Sequence, residues 1–197
     1  MSQCKILAFA GSARTASYNK LLVQNAVIGA KESGAEVTYI DLRDFPMPLF
    51  DQDLEAAEGL PENARKFKAL LSESHGFLIA CPEYNSSITP LLKNSLDWAS
   101  RTETEDEPSL KAFRGKVAAI MSASPGALGG LRGLVVVRAM LSNIGVIVLP
   151  DQIAIGAAYE AFEGGKLKDV AKQGQVVGLG TKVAEFARRL TGPLPAA

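Results

Sequence analysis

Residues 11–19 have the composition of an anion-binding loop, and they read Gly-Ser-Ala-Arg-Thr-Ala-Ser-Tyr-Asn. The glycine permits a tight turn, the hydroxyl and amide side chains can donate hydrogen bonds, and the arginine adds positive charge. A helix predicted to begin at Tyr18 presents free backbone amide groups and the positive end of its dipole to the same point. The further glycines of a dinucleotide fingerprint and the Gly-Lys-Ser/Thr ending of a nucleoside-triphosphate loop are missing from this stretch. It therefore favours a ligand with one phosphate, and the alternative is that Ser12, Ser17 and Asn19 simply cap the helix.

A second polar stretch, residues 82–85, follows a short apolar run and reads Pro-Glu-Tyr-Asn. It combines a stiff proline, an aromatic ring, a carboxylate and an amide, which suits a flat, partly polar ligand. Each residue also has an ordinary explanation, as a turn proline, a packed aromatic, a solvated acid or an amide bonded to its own backbone. Cys81 borders this stretch, but buried cysteines at strand ends are usually inert, so we predict no role for it.

A third stretch, residues 122–130, reads Ser-Ala-Ser-Pro-Gly-Ala-Leu-Gly-Gly and is again small and rich in hydroxyl groups. Its glycines are also explained by loop flexibility alone. All three stretches follow apolar runs that predict strands, so they leave the carboxyl ends of strands one, three and four. Open α/β sheets bind their ligands at that edge.

Five apolar runs with helical segments between them predict an α/β fold whose sheet is covered on both faces. The predicted strands are residues 5–10, 36–41, 76–81, 116–121 and 146–149, and the predicted helices are residues 18–33, 62–74, 90–101, 131–144 and 169–190. Residues 44–61 and 150–165 are predicted to be loops, and Gly174, Gly178 and Gly180 count against the first half of the last helix.

We expect one flavodoxin-like domain over residues 1–197, a three-layer sandwich with a five-stranded parallel sheet in the order 2-1-3-4-5. In that order strands one and three flank the point where the strand order reverses. The three polar stretches then converge on one crevice. A phosphate cradle beside a platform for a planar ring indicates flavin mononucleotide, FMN, as the ligand.

Composition argues against several classes of partner and site. The 21 basic and 21 acidic residues balance, so no long-range field steers the protein to nucleic acid or to an anionic membrane. The single histidine, His75, and the two cysteines, Cys4 and Cys81, have no metal-binding spacing, so no metal site is expected. The sequence shows neither a secretion signal nor an apolar run of membrane-spanning length, and we expect a cytoplasmic protein.

Taken together, these stretches resemble the NADPH-dependent FMN reductase family of flavodoxin-like proteins, and most of all its bacterial quinone and chromate reductase branch. The resemblance covers about the whole chain and rests on Gly11-Ser12-x-Arg14-x-x-Ser17-x-Asn19, Pro82-Glu83-Tyr84-Asn85, Leu92-Lys93-Asn94, Asp97-Trp98, Gly126-x-x-Gly129-Gly130 and Phe162-x-x-Gly165-x-Leu167-x-Asp169. The sequence departs from many relatives at Ser86 and at Thr89-Pro90. These departures concern the shape of the substrate side and not the flavin.

The resemblance implies which residues bind the cofactor. Those implied to hold the flavin phosphate are Ser12, Arg14, Ser17, Tyr18 and Asn19. Those implied to line the isoalloxazine ring are Pro82, Glu83, Tyr84 and Asn85, with Ser122 and Ser124 near its other edge. No side chain is implied to be catalytic, because the difficult chemistry belongs to the flavin.

The resemblance also implies an enzyme in which NAD(P)H reduces bound FMN, which then reduces a small-molecule acceptor: quinones, free flavin, azo compounds or metal oxyanions. The alternatives are an FMN-binding electron carrier and a redox sensor, neither with its own NAD(P)H turnover. Carriers of this type usually have a strongly acidic face, whereas this chain has no net charge. The choice between NADPH and NADH stays open, with Arg14 and Arg101 as candidate partners of a 2′-phosphate.

A neighbouring subunit commonly completes the active face in this family, so the resemblance implies a homodimer or homotetramer. The helix after Pro90 is a candidate for the contact, through an exposed Trp98 or Leu91.

Overall fold

A computed structural model describes residues 3–191, and its central feature is a five-stranded parallel sheet. The strands are β1 (Lys5–Ala10), β2 (Glu36–Tyr39), β3 (Gly76–Ala80), β4 (Glu83–Tyr84), β5 (Ser87–Ile88), β6 (Val117–Ala123), β7 (Ile147–Ile155), β8 (Phe162–Glu163) and β9 (Lys166–Leu167). The helices are α1 (Tyr18–Glu32), α2 (Gln52–Glu58), α3 (Glu62–Glu73), α4 (Pro90–Ala99), α5 (Leu131–Asn143), α6 (Ala158–Ala161) and α7 (Val170–Thr191), with a short 3₁₀ turn at Leu42–Asp44. The main sheet has the order β2-β1-β3-β6-β7.

This order confirms the predicted topology, since the main-sheet strands in chain order are β1, β2, β3, β6 and β7. Lys5 pairs with Glu36 on one side of β1, and Ile6 pairs with Gly76 on the other side. The strands β2 and β3 therefore lie on opposite sides of β1, and the strand order reverses between β1 and β3. The two short hairpins, β4–β5 and β8–β9, are antiparallel and lie outside the main sheet.

Helices cover both faces of the sheet, which explains why its central strands are apolar without alternation. In β1, Ile6, Ala8 and Ala10 pack towards α1 and α7, whereas Leu7 and Phe9 pack towards α3 and α4. All five side chains are buried. No helix in residues 3–191 is both long and apolar enough to cross a membrane.

The last strand of the sheet is longer than predicted. We expected it to end at Leu149 and a loop to begin at Pro150, but β7 continues to Ile155. Proline is tolerated here because β7 is an edge strand and its pairing with β6 shifts register at this point, between Ala118 and Ile120. The Arg138 guanidinium also donates to the Leu149 carbonyl oxygen (2.8 Å), which gives this backbone acceptor of the irregular segment a hydrogen-bond partner.

The last helix is continuous despite its glycines, so the doubt about its first half was wrong. A Cβ atom at Gly180 would overlap the carbonyl oxygen of Ala26, and one at Gly29 would overlap that of Val177. These glycines let α1 and α7 approach closely. The packing gained between the two helices offsets the low helix propensity of glycine.

Residues 44–61 are more ordered than the predicted loop, because they contain α2 and are held on α4. The indole nitrogen of Trp98 donates to the Pro48 carbonyl oxygen (2.8 Å), and Asn94 Oδ1 accepts from the Phe50 amide (2.8 Å). Trp98 is completely buried in this contact. The expectation that it is an exposed subunit contact is therefore wrong.

Candidate functional site

One crevice forms where the loops after β1, β3 and β6 meet at the carboxyl edge of the sheet. Its volume is about 200 Å³, and its walls are Ser12, Arg14, Ser17, Tyr18, Asn19, Pro82, Glu83, Tyr84, Ala123, Ser124 and Pro125. These include every predicted site residue except Asn85 and Ser122. The three loops, far apart in the chain, therefore lie together at the edge that we predicted.

Asn85 and Ser122 lie beside the crevice. Asn85 is exposed at the tip of the β4–β5 hairpin, and its φ of 51° is in the left-handed region that asparagine tolerates. Ser122 is completely buried at the end of β6, where a Cβ at Gly130 would overlap its hydroxyl oxygen. Among the described residues that hydroxyl has no hydrogen-bond partner.

The loop after β1 keeps donor groups available for a ligand. Ser17 occupies the N-cap position of α1 with extended backbone angles, yet its side chain makes no capping bond to any described residue. Ser12 Oγ accepts a long bond from the Arg14 amide (3.3 Å), which is a local turn contact. The alternative explanation of these residues as helix caps is therefore not supported by their contacts. The crevice is thus lined by two serines, an arginine and the start of a 15-residue helix.

Asn19 joins the loop after β1 to the end of β6. Its Nδ2 donates to the Ala123 carbonyl oxygen (2.8 Å), and its Oδ1 accepts from the Ala123 amide (2.9 Å). Both bonds are buried, and Asn19 itself is 4% exposed. The side chain predicted to bind the phosphate thus holds two loops in place.

Thr89 joins the loop after β1 to the segment after β3, a role that sequence analysis missed. Its hydroxyl donates to the Gly11 carbonyl oxygen (2.7 Å) and accepts from the Leu92 amide (3.2 Å) as the N-cap of α4. Threonine followed by proline at a helix start is a capping signal, so the cap was predictable. The bond to Gly11 was not.

Glu83 joins the loop after β3 to the start of α5. Its Oε2 accepts from the Gly133 amide (2.8 Å), and its Oε1 lies 3.5 Å from Nε of Arg132. A Cβ at Gly133 would lie 3.2 Å from the Cβ of Glu83, so glycine gives the carboxylate room at the helix N-terminus. Each pair of the three loops is thus joined by a side chain that bonds the backbone of the other loop.

Two further arginines differ in their relation to the crevice. Arg101, a candidate partner of a 2′-phosphate, donates from Nε to both carboxylate oxygens of Glu55 (2.7 and 3.0 Å) and stacks near Phe50. Glu55 therefore holds Arg101 through Nε, and Arg101 is not among the residues that line the crevice. Arg43, which sequence analysis missed, donates to the Thr15 hydroxyl (2.5 Å) and brings a second cation to the loop after β1.

The thiol next to the crevice, that of Cys81, is shielded from solvent. Cys81 is completely buried, and burial raises the pKa of its thiol. Because the thiolate is the reactive form, a raised pKa suppresses nucleophilic chemistry. The absence of a role for Cys81 stays a prediction.

A doubly wound parallel sheet with a monophosphate-type cradle at its switch point defines the flavodoxin-like class of proteins. Comparison with known proteins gives the family. The profile for NADPH-dependent FMN reductase matches residues 4–160, and the chain belongs to this family. It is an oxidoreductase with FMN as cofactor and NAD(P)H as co-substrate.

Individual relatives agree with this assignment. An NAD(P)H-dependent FMN reductase of Pseudomonas aeruginosa is 35% identical over 84% of this chain and 85% of its own length. A quinone reductase of Pseudomonas putida is 34% identical over 81% of this chain and 82% of its own. The structure of FerB, a flavoenzyme NAD(P)H:(acceptor) oxidoreductase from Paracoccus denitrificans, aligns with a TM-score of 0.75 and 23% identity over 94% of this chain and 98% of its own. That structure supports the fold.

The donor chemistry of the crevice fits FMN. A phosphate monoester needs several hydrogen-bond donors and positive charge, and Ser12, Ser17, Arg14 and the start of α1 offer these together. A flavin ring needs a flat, partly apolar wall, and Pro82 with Tyr84 offers one.

Proposed function

We propose that this protein reduces quinones with NAD(P)H, using FMN bound in the crevice between the three loops. The observation that carries the proposal is the meeting of a cradle for one phosphate with an aromatic wall that is open to solvent, since Tyr84 is 56% exposed. FMN held there would supply the chemistry of hydride transfer from the nicotinamide and of electron transfer to the acceptor. The protein binds FMN, orients it and leaves it accessible to the nicotinamide and the acceptor.

The phosphate end of FMN is assigned to the loop after β1. Ser12 and Ser17 donate hydrogen bonds, Arg14 supplies charge, and Tyr18 forms the side of the cradle. Asn19 acts through its bonds to Ala123, which hold the loop against the end of β6. Charge-assisted hydrogen bonds contribute about 1.5 to 3 kcal/mol each, so a few of them suffice for tight retention of FMN.

The ring end is assigned to the other two loops. Pro82 and Tyr84 form the wall, Asn85 lies at the hairpin tip beside it, and Ser124 borders the opposite edge. Ser122 lies beneath this edge as a buried support. The carboxylate of Glu83 accepts a hydrogen bond from α5. We therefore assign only the backbone of Glu83 to the wall beside the ring.

Anaerobic reduction tests the proposed turnover. Addition of NADPH to the FMN-loaded protein should bleach the visible flavin absorbance within the time of one turnover, and 1,4-benzoquinone should restore it. A panel of free FMN, an azo dye and chromate then tests the remaining acceptors one by one. If the colour persists both after NADPH and, in a parallel sample, after NADH, the protein is an electron carrier or a redox sensor, and the proposal is wrong.

We propose that the protein forms a homodimer or homotetramer through the outer face of α5. Leu131 and Val135 lie one turn apart on this helix, which directly follows the third loop of the crevice, and they are 43% and 63% exposed. Apolar surface of this kind beside a ligand site is typical of an interface. Sedimentation equilibrium should show an oligomer that V135K converts to a monomer, whereas L190K, at an exposed leucine of α7, should leave it intact. A monomeric wild-type protein would contradict this.

We further propose a cytoplasmic location. Cys4 and Cys81 are both buried as free thiols, which agrees with a reducing compartment. Fractionation of the source cells tests this, and recovery in a secreted fraction would overturn it.

A further inference from the structure

The motif Phe162-x-x-Gly165-x-Leu167-x-Asp169 has no role in the proposed cofactor contacts, yet the structure gives it a defined place. It forms the β8–β9 hairpin and the cap of α7, where Asp169 Oδ1 accepts from the Lys172 amide (3.0 Å). Leu167 is buried and anchors the hairpin in the core beside α1. The first residue of the motif therefore has a fixed position relative to α1.

Two side-chain amides, of buried Asn25 and half-buried Gln173, fasten the hairpin to α1 and α7. Asn25 Nδ2 donates to the Gly165 carbonyl oxygen (2.8 Å), and Gln173 Nε2 donates to Asn25 Oδ1 (2.9 Å). Gln173 Oε1 accepts in turn from the Leu167 amide (3.0 Å). Asn25 lies seven residues after Tyr18, two turns further along the same helix. The hairpin is thus held by the helix that begins at the phosphate loop.

The other end of the hairpin packs on the phosphate loop itself. The ring of Phe162 stacks on that of Tyr18, with centroids 6.0 Å apart and planes 9° apart. The guanidinium carbon of Arg14 lies 4.9 Å from the centroid of the same tyrosine ring. Both rings are half-buried, whereas Arg14 is exposed.

An exposed arginine samples many rotamers in water, and ordering it has an entropic cost whenever it binds an anion. A ring held in one orientation reduces that cost, because the planar guanidinium packs on its face. We propose that Phe162 is a positioning residue for the flavin phosphate: it fixes the Tyr18 ring, which holds the Arg14 guanidinium at the cradle. This inference rests on the proposed assignment of the cradle to the phosphate of FMN.

The comparison of FMN with riboflavin isolates this effect, because the two ligands differ only in the phosphate. Phe162→Leu keeps an apolar side chain but removes the ring. In titrations of the apoprotein followed by flavin fluorescence, this variant should have about three- to tenfold lower affinity for FMN, while its affinity for riboflavin should change little. Phe162→Tyr, which restores a ring, should restore the affinity for FMN. Phe162→Met is a second ring-free variant if the leucine variant does not fold.

Phe186→Leu is the matched control. Phe186 is another aromatic residue beside an arginine, with the guanidinium carbon of Arg189 5.7 Å from its ring centroid, but it lies on α7 away from the crevice. This variant should leave the affinities for both flavins unchanged. Equal weakening of FMN and riboflavin by Phe162→Leu would mean that Phe162 only supports the fold, and would overturn the inference.

A double-mutant cycle separates failure of the inference from failure of the cradle. Arg14→Ala alone should lower the ratio of FMN to riboflavin affinity, and adding Phe162→Leu to it should lower the ratio no further. If Arg14→Ala leaves the ratio unchanged, the cradle assignment is wrong and the inference falls with it. If Arg14→Ala lowers the ratio of FMN to riboflavin affinity but Phe162→Leu does not, only the inference is wrong. The same holds if Phe162→Leu lowers this ratio as much in the Arg14→Ala variant as in the wild-type protein.

Discussion

Asn19 and Ala123 exchange two buried hydrogen bonds across 104 residues of sequence and join the first and third loops of the crevice. The side-chain amide of Asn19 has the geometry of a backbone peptide group, so it satisfies both the amide and the carbonyl of Ala123 at once. These backbone groups lie at the end of β6, beyond Met121, the last residue of β6 that pairs with β3.

Asn19→Ala leaves the amide and carbonyl of Ala123 without partners in a buried position. Each such group costs about 1 to 3 kcal/mol, so we expect the free energy of unfolding to fall by about 2 to 6 kcal/mol. Urea denaturation of the apoprotein measures this without the cofactor. Asn143→Ala, at an exposed asparagine near the end of α5, is the control and should change little. Equal stability of the two variants would show that the bridge is not structural.

Ser12→Ala combined with Ser17→Ala removes both hydroxyls of the proposed phosphate cradle. We expect the affinity for FMN to fall by more than about tenfold, since each charge-assisted bond contributes about 1.5 to 3 kcal/mol. Riboflavin, which has no phosphate, should bind as before, and Ser142→Ala at an exposed site should have no effect on either ligand. A parallel loss of riboflavin binding would place these hydroxyls elsewhere on the flavin.

Glu83→Ala removes the carboxylate that caps α5 and leaves the Gly133 amide without this partner. Loss of a helix cap costs about 0.5 to 2 kcal/mol, so the apoprotein should be destabilised by that amount. Glu83→Gln keeps an oxygen acceptor and should recover most of the loss in the same urea titration. If glutamine is as damaging as alanine, the negative charge at the helix start and not the hydrogen bond is what matters.

His75 gives stability a defined pH dependence. Burial, with Lys116 and Lys5 nearby, lowers its pKa below 6.5, and its Nδ1 accepts from the Lys5 amide (2.9 Å), which requires the neutral ring. The unfolded chain therefore binds the proton more readily, so stability should fall as the pH drops below about 6.5 and level off below the folded pKa. As the sole histidine of the chain, it allows a single NMR titration to report that pKa directly.

Replacement of His75 by asparagine provides the check on this sign. The asparagine oxygen can accept from the Lys5 amide without titrating, so the loss of stability between about pH 7 and 5 should become smaller. A histidine midpoint above 6.5, or an unchanged pH profile in the variant, would contradict the expectation.

Two elements show where sequence patterns failed. Pro150 marks the end of a strand by every local rule, yet β7 passes through it because an edge strand has one unpaired side. Gly180 weakens a helix by local propensity, yet α7 needs it because the Ala26 carbonyl of α1 lies against its backbone. In both cases the deciding contact comes from another part of the chain.

The sequence was enough to predict the five strands of the main sheet, their order, and nine of the eleven site residues that line the crevice. Buried strands and polar turns depend on short, continuous stretches of chain. The roles of Asn19, Thr89 and Glu83 depend instead on contacts that form in the folded chain. Their partners Ala123, Gly11 and Gly133 lie 104, 78 and 50 residues away, and they are bonded through backbone atoms that every residue has. No pattern of side chains can identify a backbone partner at that distance, so it becomes visible only when the chain is folded.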